Sequence, residues 1–329
     1  MPSRVRALFA GYPELIAVLA AAVIGLSVQS PLAWLAGHQG INILLAALVF
    51  ATAVTIEPAA LRRLSATWRS LLAALAAGIT VLPALSWAVS RIVAAGSLRD
   101  GIMTLGLAPC EIASVATTAM AGGEAALSAG VLIGSTVIAV AAAGPVLTLE
   151  AGHAAVGPGH IIVSLALVVA LPLAAGILLR ARVGIGARAE RAAETTAVLS
   201  VAALVALIAA EVHLSVRYVA VGVALVAFLA ASALVGRLLG AGTGRAPAVA
   251  LLLTTSMRDF AIAAGLAAAA FGTAAAAPLG LYGILVLVWG TAAAGFLRKR
   301  PGRLASGRAI EGIEEHHRAA GQVGGVTRD

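Results

Sequence analysis

Residues 107–118 read Leu-Ala-Pro-Cys-Glu-Ile-Ala-Ser-Val-Ala-Thr-Thr, and residues 254–260 read Thr-Thr-Ser-Met-Arg-Asp-Phe. Both runs lie deep inside long apolar stretches. Glu111 sits in the first, and Arg258 and Asp259 sit in the second. An ionisable group in hydrocarbon is costly, so it faces a partner or a water-filled cavity. Pro109 removes a backbone donor and crowds the turn before it. The carbonyls it frees need partners, which a bound cation or a polar substrate supplies. Pro109 is therefore read as a helix break. Broken helices aim their dipoles at the midplane, N-termini favouring anions and C-termini favouring cations.

The composition around these runs is that of a polytopic membrane protein. Of 329 residues, 61% are apolar and 11% charged, with a mean hydropathy of +1.04. A soluble domain carries about 25% charged residues. A soluble enzyme, a nucleic-acid binder and a disordered chain are excluded. The net charge of +8 forms no patch, because the basic residues punctuate short loops. Apolar runs bounded by loop signals predict ten membrane helices, at 14–35, 40–56, 69–94, 101–121, 126–149, 159–180, 192–211, 216–238, 246–270 and 276–297. With the N-terminus inside, 18 of the 22 Lys and Arg fall on the cytoplasmic side. Arg91, Arg99 and Arg217 fall outside, and Arg258 lies within a span. This predicts an all-α, multi-pass integral protein of the plasma (inner) membrane with both termini cytoplasmic. Residues 298–329 are predicted to form a polar cytoplasmic tail, and no cleavable signal is expected after Arg4 and Arg6.

The span starts of the two halves pair at offsets of 145 to 152 residues: 14 with 159, 40 with 192, 69 with 216, 101 with 246, and 126 with 276. Five spans is an odd number, so the halves, 14–149 and 159–297, are predicted to be inverted repeats, as in many secondary transporters. Chance likeness among Ala/Val/Leu-rich helices is the alternative reading. Glu111 lies 147 residues before Arg258 and 148 before Asp259, so the charges occupy matching places in the two halves.

These residues carry a family resemblance. Ala108-Pro109-x-x-x-Ala113-Ser114, then Ala121-Gly122-Gly123-Glu124 and Leu127-Ser128, resemble the fourth and fifth spans of the bile acid:sodium symporter family. That family stands within the bile/arsenite/riboflavin transporter superfamily. The run 254–263 with Phe271-Gly272 resembles its ninth span, and 56–63 its second inner loop. The resemblance implies a panel domain of spans one, two, six and seven. It implies a core domain of spans three to five and eight to ten, with broken helices four and nine crossing at its centre. It also implies substrate in the cleft between domains and two sodium ions behind the crossing. Ser114 and Ser128 match the family's sodium ligands. Val115, Leu132, Thr254, Arg258 and Gly78 stand where the family has asparagine, threonine, glutamate, glutamine and glutamine. A guanidinium in place of an oxygen ligand opposes sodium binding, and Glu111 is an added carboxylate that compensates.

The candidate ion-binding residues are Glu111, Ser114, Ser128, Thr254 and Asp259. Arg258, Thr117, Thr255 and Met257 are the candidate substrate-binding residues. Several readings stay open. Glu111 is a proton or cation site, or it is a salt-bridge partner of Arg258. Arg258 clamps a substrate carboxylate, or Asp259 or Glu111 neutralises it. The hydroxyls are ligands, or they bond back to their own helix. Cys110 is a soft-metalloid ligand or an apolar filler.

The single cysteine excludes an internal disulfide, and the six histidines are placed in loops or the tail, so no metal site is expected. No phosphate-binding Gly-rich motif, catalytic triad or zinc motif is present, so the chain is read as neither an ATPase nor an enzyme. The resulting expectation is a secondary active transporter of a small organic anion, working by alternating access. It needs no cofactor and is coupled to Na⁺ or H⁺. Its partners are a small-molecule substrate and the lipid bilayer, not nucleic acid, and its oligomeric state stays open. One alternative is a proton-coupled exporter or an arsenite-type efflux carrier, since such carriers have a cysteine in the fourth span near Cys110. Their acidic residue after the ninth-span Phe is Ala261 here. Another alternative is a non-transporting membrane ligand sensor.

Overall fold

The computed structural model describes residues 13–55, 67–151, 157–183, 185–212 and 216–298. Arg4, Arg6, Tyr12, the 56–63 motif, His153, His213 and the tail from residue 299 lie outside the described residues. Among the described residues every regular element is a helix, apart from one isolated β-bridge.

The described residues open with α1 (Pro13–Ser27) and α2 (Gln29–Leu35), followed by a kink over Ala36–Gly40 in which Gln39 has φ +69°. Then come α3 (Ile41–Thr55), α4 (Trp68–Ile79) and α5 (Val81–Ser90). Next are α6 (Ser97–Leu107), α7 (Ala113–Met120) and the long α8 (Ala125–Ala151). The second half holds α9 (Pro158–Leu165), α10 (Leu171–Val183), α11 (Ala187–Ala210) and α12 (Arg217–Leu239). It ends with α13 (Arg245–Ser256), α14 (Phe260–Phe271) and α15 (Ala277–Arg298). His160 falls in the first turn of α9 rather than in a loop, and His38 lies in the kink, stacked on Trp34.

Among the described residues, seven continuous stretches are long and apolar enough to cross a membrane. They are Gln29–Thr55, Trp68–Ser90, Ala125–Glu150, Gly159–Val183, Ala187–Ala210, Arg217–Leu239 and Thr273–Arg298. Seven falls short of the ten expected for a physical reason. The predicted spans 101–121 and 246–270 are each interrupted, as α6/α7 and α13/α14, so neither is a continuous helix of span length. The predicted first span divides at Val28, and its second piece runs through the kink into α3.

The helices pack in two groups. In one, α11 lies against α1, α2 and α3, and α10 lies along α3. In the other, α6 packs on α5, α8, α14 and α15, while α13 packs on α12, α7 and α8. Lipid is as apolar as leucine, so helices in a bilayer associate by close packing and interhelical hydrogen bonds. Gly106 is an example of the first. A Cβ there would meet the Leu82 carbonyl, the Ser86 hydroxyl and Pro83 Cα, so α6 presses directly onto the backbone of α5. Ser86 and Thr104 are examples of the second. Ser86 Oγ donates to Met103 O at 2.9 Å, and Thr104 Oγ1 donates to Ala263 O at 3.1 Å, tying α6 to α5 and α14.

This contact yields a direct expectation. Gly106→Val forces backbone apart and costs about 3 kcal/mol, whereas Gly78→Ala, where a Cβ meets open space, is neutral or slightly stabilising. Melting of the two variants in detergent, followed by size-exclusion fluorescence, compares them directly.

Candidate functional site

The centre of the second group is built from the two interruptions. α6 ends at Leu107, and Ala108 turns to extended geometry (φ −64°, ψ 149°) before Pro109. α13 ends at Ser256, and Met257 (φ −90°, ψ 102°) and Asp259 (φ −71°, ψ 103°) are likewise extended. The two extended pieces lie antiparallel, with Cys110 opposite Arg258. Glu111 N–H donates to Met257 O at 2.8 Å, and Asp259 N–H donates to Pro109 O at 2.9 Å. The backbone groups that each break orphans thus satisfy those of the other, as a membrane interior demands. Side chains close the remaining positions. Cys110 N–H donates to Ser135 Oγ of α8 at 3.2 Å, and Arg258 N–H donates to Tyr282 Oη of α15 at 3.3 Å.

Helix ends place the charges. The Arg258 guanidinium donates through Nη2 to the carbonyl of Ala108, at the C-terminal end of α6. A cation is favoured there. Asp259 caps α14 by accepting from Ile262 N–H at 2.8 Å. Glu111 stands just before α7, and the amides of Phe260, Ala113 and Ile112 face its carboxylate. Both acids therefore occupy helix N-termini, where anions are favoured.

These contacts leave three valences over. Glu111 Oε2, Arg258 Nε and Asp259 Oδ2 are buried and have no hydrogen-bond partner. The side chains are 6%, 3% and 0% exposed, so bulk solvent does not reach them. Unsatisfied buried polar atoms are expensive and uncommon. The salt-bridge reading of Glu111 with Arg258 is not what forms, because among the described residues neither carboxylate is ion-paired to the guanidinium. Arg258 takes a backbone carbonyl instead.

The hydroxyls divide. Ser114 Oγ donates to Cys110 Sγ at 3.8 Å, and Thr118 Oγ1 donates to Ser128 Oγ at 3.4 Å, joining α7 to α8. Thr117 and Thr254 bond back to Ala113 O and Ala250 O within their own helices, at 2.7 and 2.8 Å. Thr255 faces Gly236 of α12, and Met257 packs onto Gly290 of α15. All of these side chains are buried. A separate small cavity opens between α3, α9 and α14, lined by Asn42, Leu45, Ser164, Leu165 and Gly265 among others. None of Thr117, Thr255, Met257 or Arg258 lines it.

Sequence reading missed Ser135, Tyr282, Asn42 and Ser164. Tyr282 sits in an apolar run and reads as core, and Ser135 is one of many small residues in its helix. Asn42 and Ser164 do carry a signal, as polar residues within predicted spans.

The model of the sodium bile acid symporter family matches residues 42–221, just over half of the chain. The chain belongs to this family. Its members are transporters, not enzymes, and membership suggests sodium-coupled secondary transport with the substrate unspecified. The protein is thus a multi-pass integral membrane protein that acts on a small molecule. No curated protein gives a significant match to the chain. The matched stretch includes the Pro109 break and ends before the second.

Cap and charge at Asp259 are separable. Asp259→Asn retains the oxygen that caps α14, and Asp259→Ala loses it. The Asn variant should be the more stable by about 1 kcal/mol, which chemical denaturation of the two purified proteins in detergent measures.

Proposed function

We propose that this family member is a secondary active transporter that moves a small organic anion by alternating access, coupled to Na⁺ or H⁺. The observation that carries the reading is the set of unpartnered buried atoms on Glu111, Arg258 and Asp259, held at helix ends that meet in one bridge. A site of this kind has binding capacity of both signs. The carboxylates suit a coupling cation, and the guanidinium suits the charged group of an anion. Ser114, Ser128 and Thr254 supply further oxygens to the ion. Thr117, Thr255 and Met257 belong to the substrate side of the same centre.

In this reading the chain has ten spans in two inverted five-helix repeats, with α6/α7 and α13/α14 as crossed broken helices. The group containing α1–α3 and α9–α11 is the panel, and the rest is the core. The cavity at Asn42 and Ser164 lies at their boundary, next to α14. Rocking of one group on the other would open that boundary to alternate sides. The termini lie in the cytoplasm and the membrane is the plasma (inner) membrane, as the arginine distribution supports.

The metalloid reading is weaker. Soft metalloids take thiolates, and the chain has one cysteine, whose backbone amide is engaged by Ser135 and whose sulfur accepts from Ser114.

The test is uptake of a panel of labelled organic anions into proteoliposomes under imposed Na⁺ and pH gradients. Glu111→Gln and Arg258→Ala should each cut transport by about a hundredfold or more, the loss typical when one partner of a desolvated charge contact is removed, while circular dichroism and size-exclusion profiles stay unchanged. Wild-type rates in both variants would contradict the reading.

A further inference from the structure

The last helix carries an unused pattern. Tyr282-Gly283 and Trp289-Gly290 are the same aromatic–glycine pair, repeated seven residues apart. Seven residues are close to two helical turns, so the pairs share one face of α15. That face lies on the 256–260 break.

Every member of the pattern meets the 256–260 segment. Tyr282 Oη accepts from Arg258 N–H at 3.3 Å and donates to Ser256 O at 3.1 Å. One hydroxyl therefore satisfies both the carbonyl left over at the end of α13 and the amide of the extended segment, which its single proton and two lone pairs allow. Trp289 Nε1 donates to Ser256 Oγ at 2.9 Å, and Ser256 Oγ itself donates to Leu252 O at 2.7 Å. The glycines seat the neighbouring side chains. A Cβ at Gly283 would meet the Phe260 ring at 2.8–3.0 Å, and one at Gly290 would meet Met257 Cε at 2.7 Å. Ser256, Met257, Arg258 and Phe260 are thus all held by one helix face.

We propose that this face is the template that sets the backbone of the second break, and that Tyr282 is a positioning residue for Arg258 and Asp259. Tyr282 is itself fixed: it is fully buried, with its ring edge-on to Phe228 of α12 at 6.1 Å between centroids. The template acts on function only through the reading of the break as the ion and substrate centre. Its effect on the backbone stands apart from that reading.

Hydrogen–deuterium exchange on the purified full-length chain in detergent tests it, with Tyr282→Phe and Trp289→Phe as variants and Gly78→Ala as a control. In Tyr282→Phe, peptides covering 256–260 should exchange about tenfold faster, the change expected for one lost hydrogen bond, with α11 unchanged. Trp289→Phe should accelerate the same peptides, so the idea remains testable if Tyr282→Phe folds poorly. Wild-type exchange at 256–260 in both variants overturns the proposal. Acceleration spread evenly over all helices overturns it too, because the hydroxyl then serves the whole fold. The functional arm titrates the melting temperature with NaCl, balanced by choline chloride, and with pH. Tyr282→Phe should need about tenfold more of whichever ion stabilises the wild type, and an unchanged half-saturation overturns the positioning role. A wild type that responds to neither ion contradicts the transport reading alone, and the exchange result then decides the template by itself.

Discussion

Two hydrogen bonds, Glu111 N–H to Met257 O and Asp259 N–H to Pro109 O, hold together the centre of this molecule. An interrupted helix in a bilayer interior has no water to bond the backbone groups that the interruption frees. Either interruption alone would leave donors and acceptors bare. Placed face to face, the two form the smallest possible antiparallel ladder, and the chain then has to build everything else around that meeting. α8 supplies Ser135 to one side of it and α15 supplies Tyr282 to the other. Gly106 lets α6 approach α5 closely enough to reach the same place.

The interruptions also create local charge preferences. A helix that stops in the middle of a membrane exposes its dipole where no solvent screens it. Arg258 answers the C-terminal end of α6, Asp259 caps α14, and Glu111 stands before α7. Every charge is placed favourably, yet none is fully bonded. Such partial satisfaction is costly for stability. It is what a site requires if its remaining valences are to be filled and released by an ion or a substrate during a cycle.

Pro109, Glu111 and the Arg258–Asp259 pair were legible in the sequence because a proline or a charge within an apolar run is a local signal. The interruption of the spans near 101–121 and 246–270 follows from the same signal. The family was legible in the short motifs around Ser114 and Ser128. The partner of Arg258 was not, because sequence offers two obvious carboxylates and gives no sign that the orphan carbonyl of Ala108 lies nearer. Tyr282 was hidden for a different reason. Its role depends on helix rotation and on glycines at 283 and 290, and glycine is common throughout this chain. The cavity at Asn42 and Ser164 depends on how two helix groups meet, which no single span encodes. Seven rather than ten continuous spans follows from the broken helices and from the kink at Gln39, where one apolar stretch runs on past a backbone turn.

In the proposed function, the coupling ion binds at the unpartnered atoms of Glu111 and Asp259 beside the bridge. The most direct test is the melting temperature of wild type and Glu111→Gln in detergent, in NaCl against choline chloride at equal ionic strength and across a range of pH. A ligand that binds only the folded state raises the melting temperature by mass action. A rise with Na⁺ or with protons is expected in the wild type, and Glu111→Gln should remove it. A Glu111→Gln variant that responds to both ions as the wild type does would contradict it.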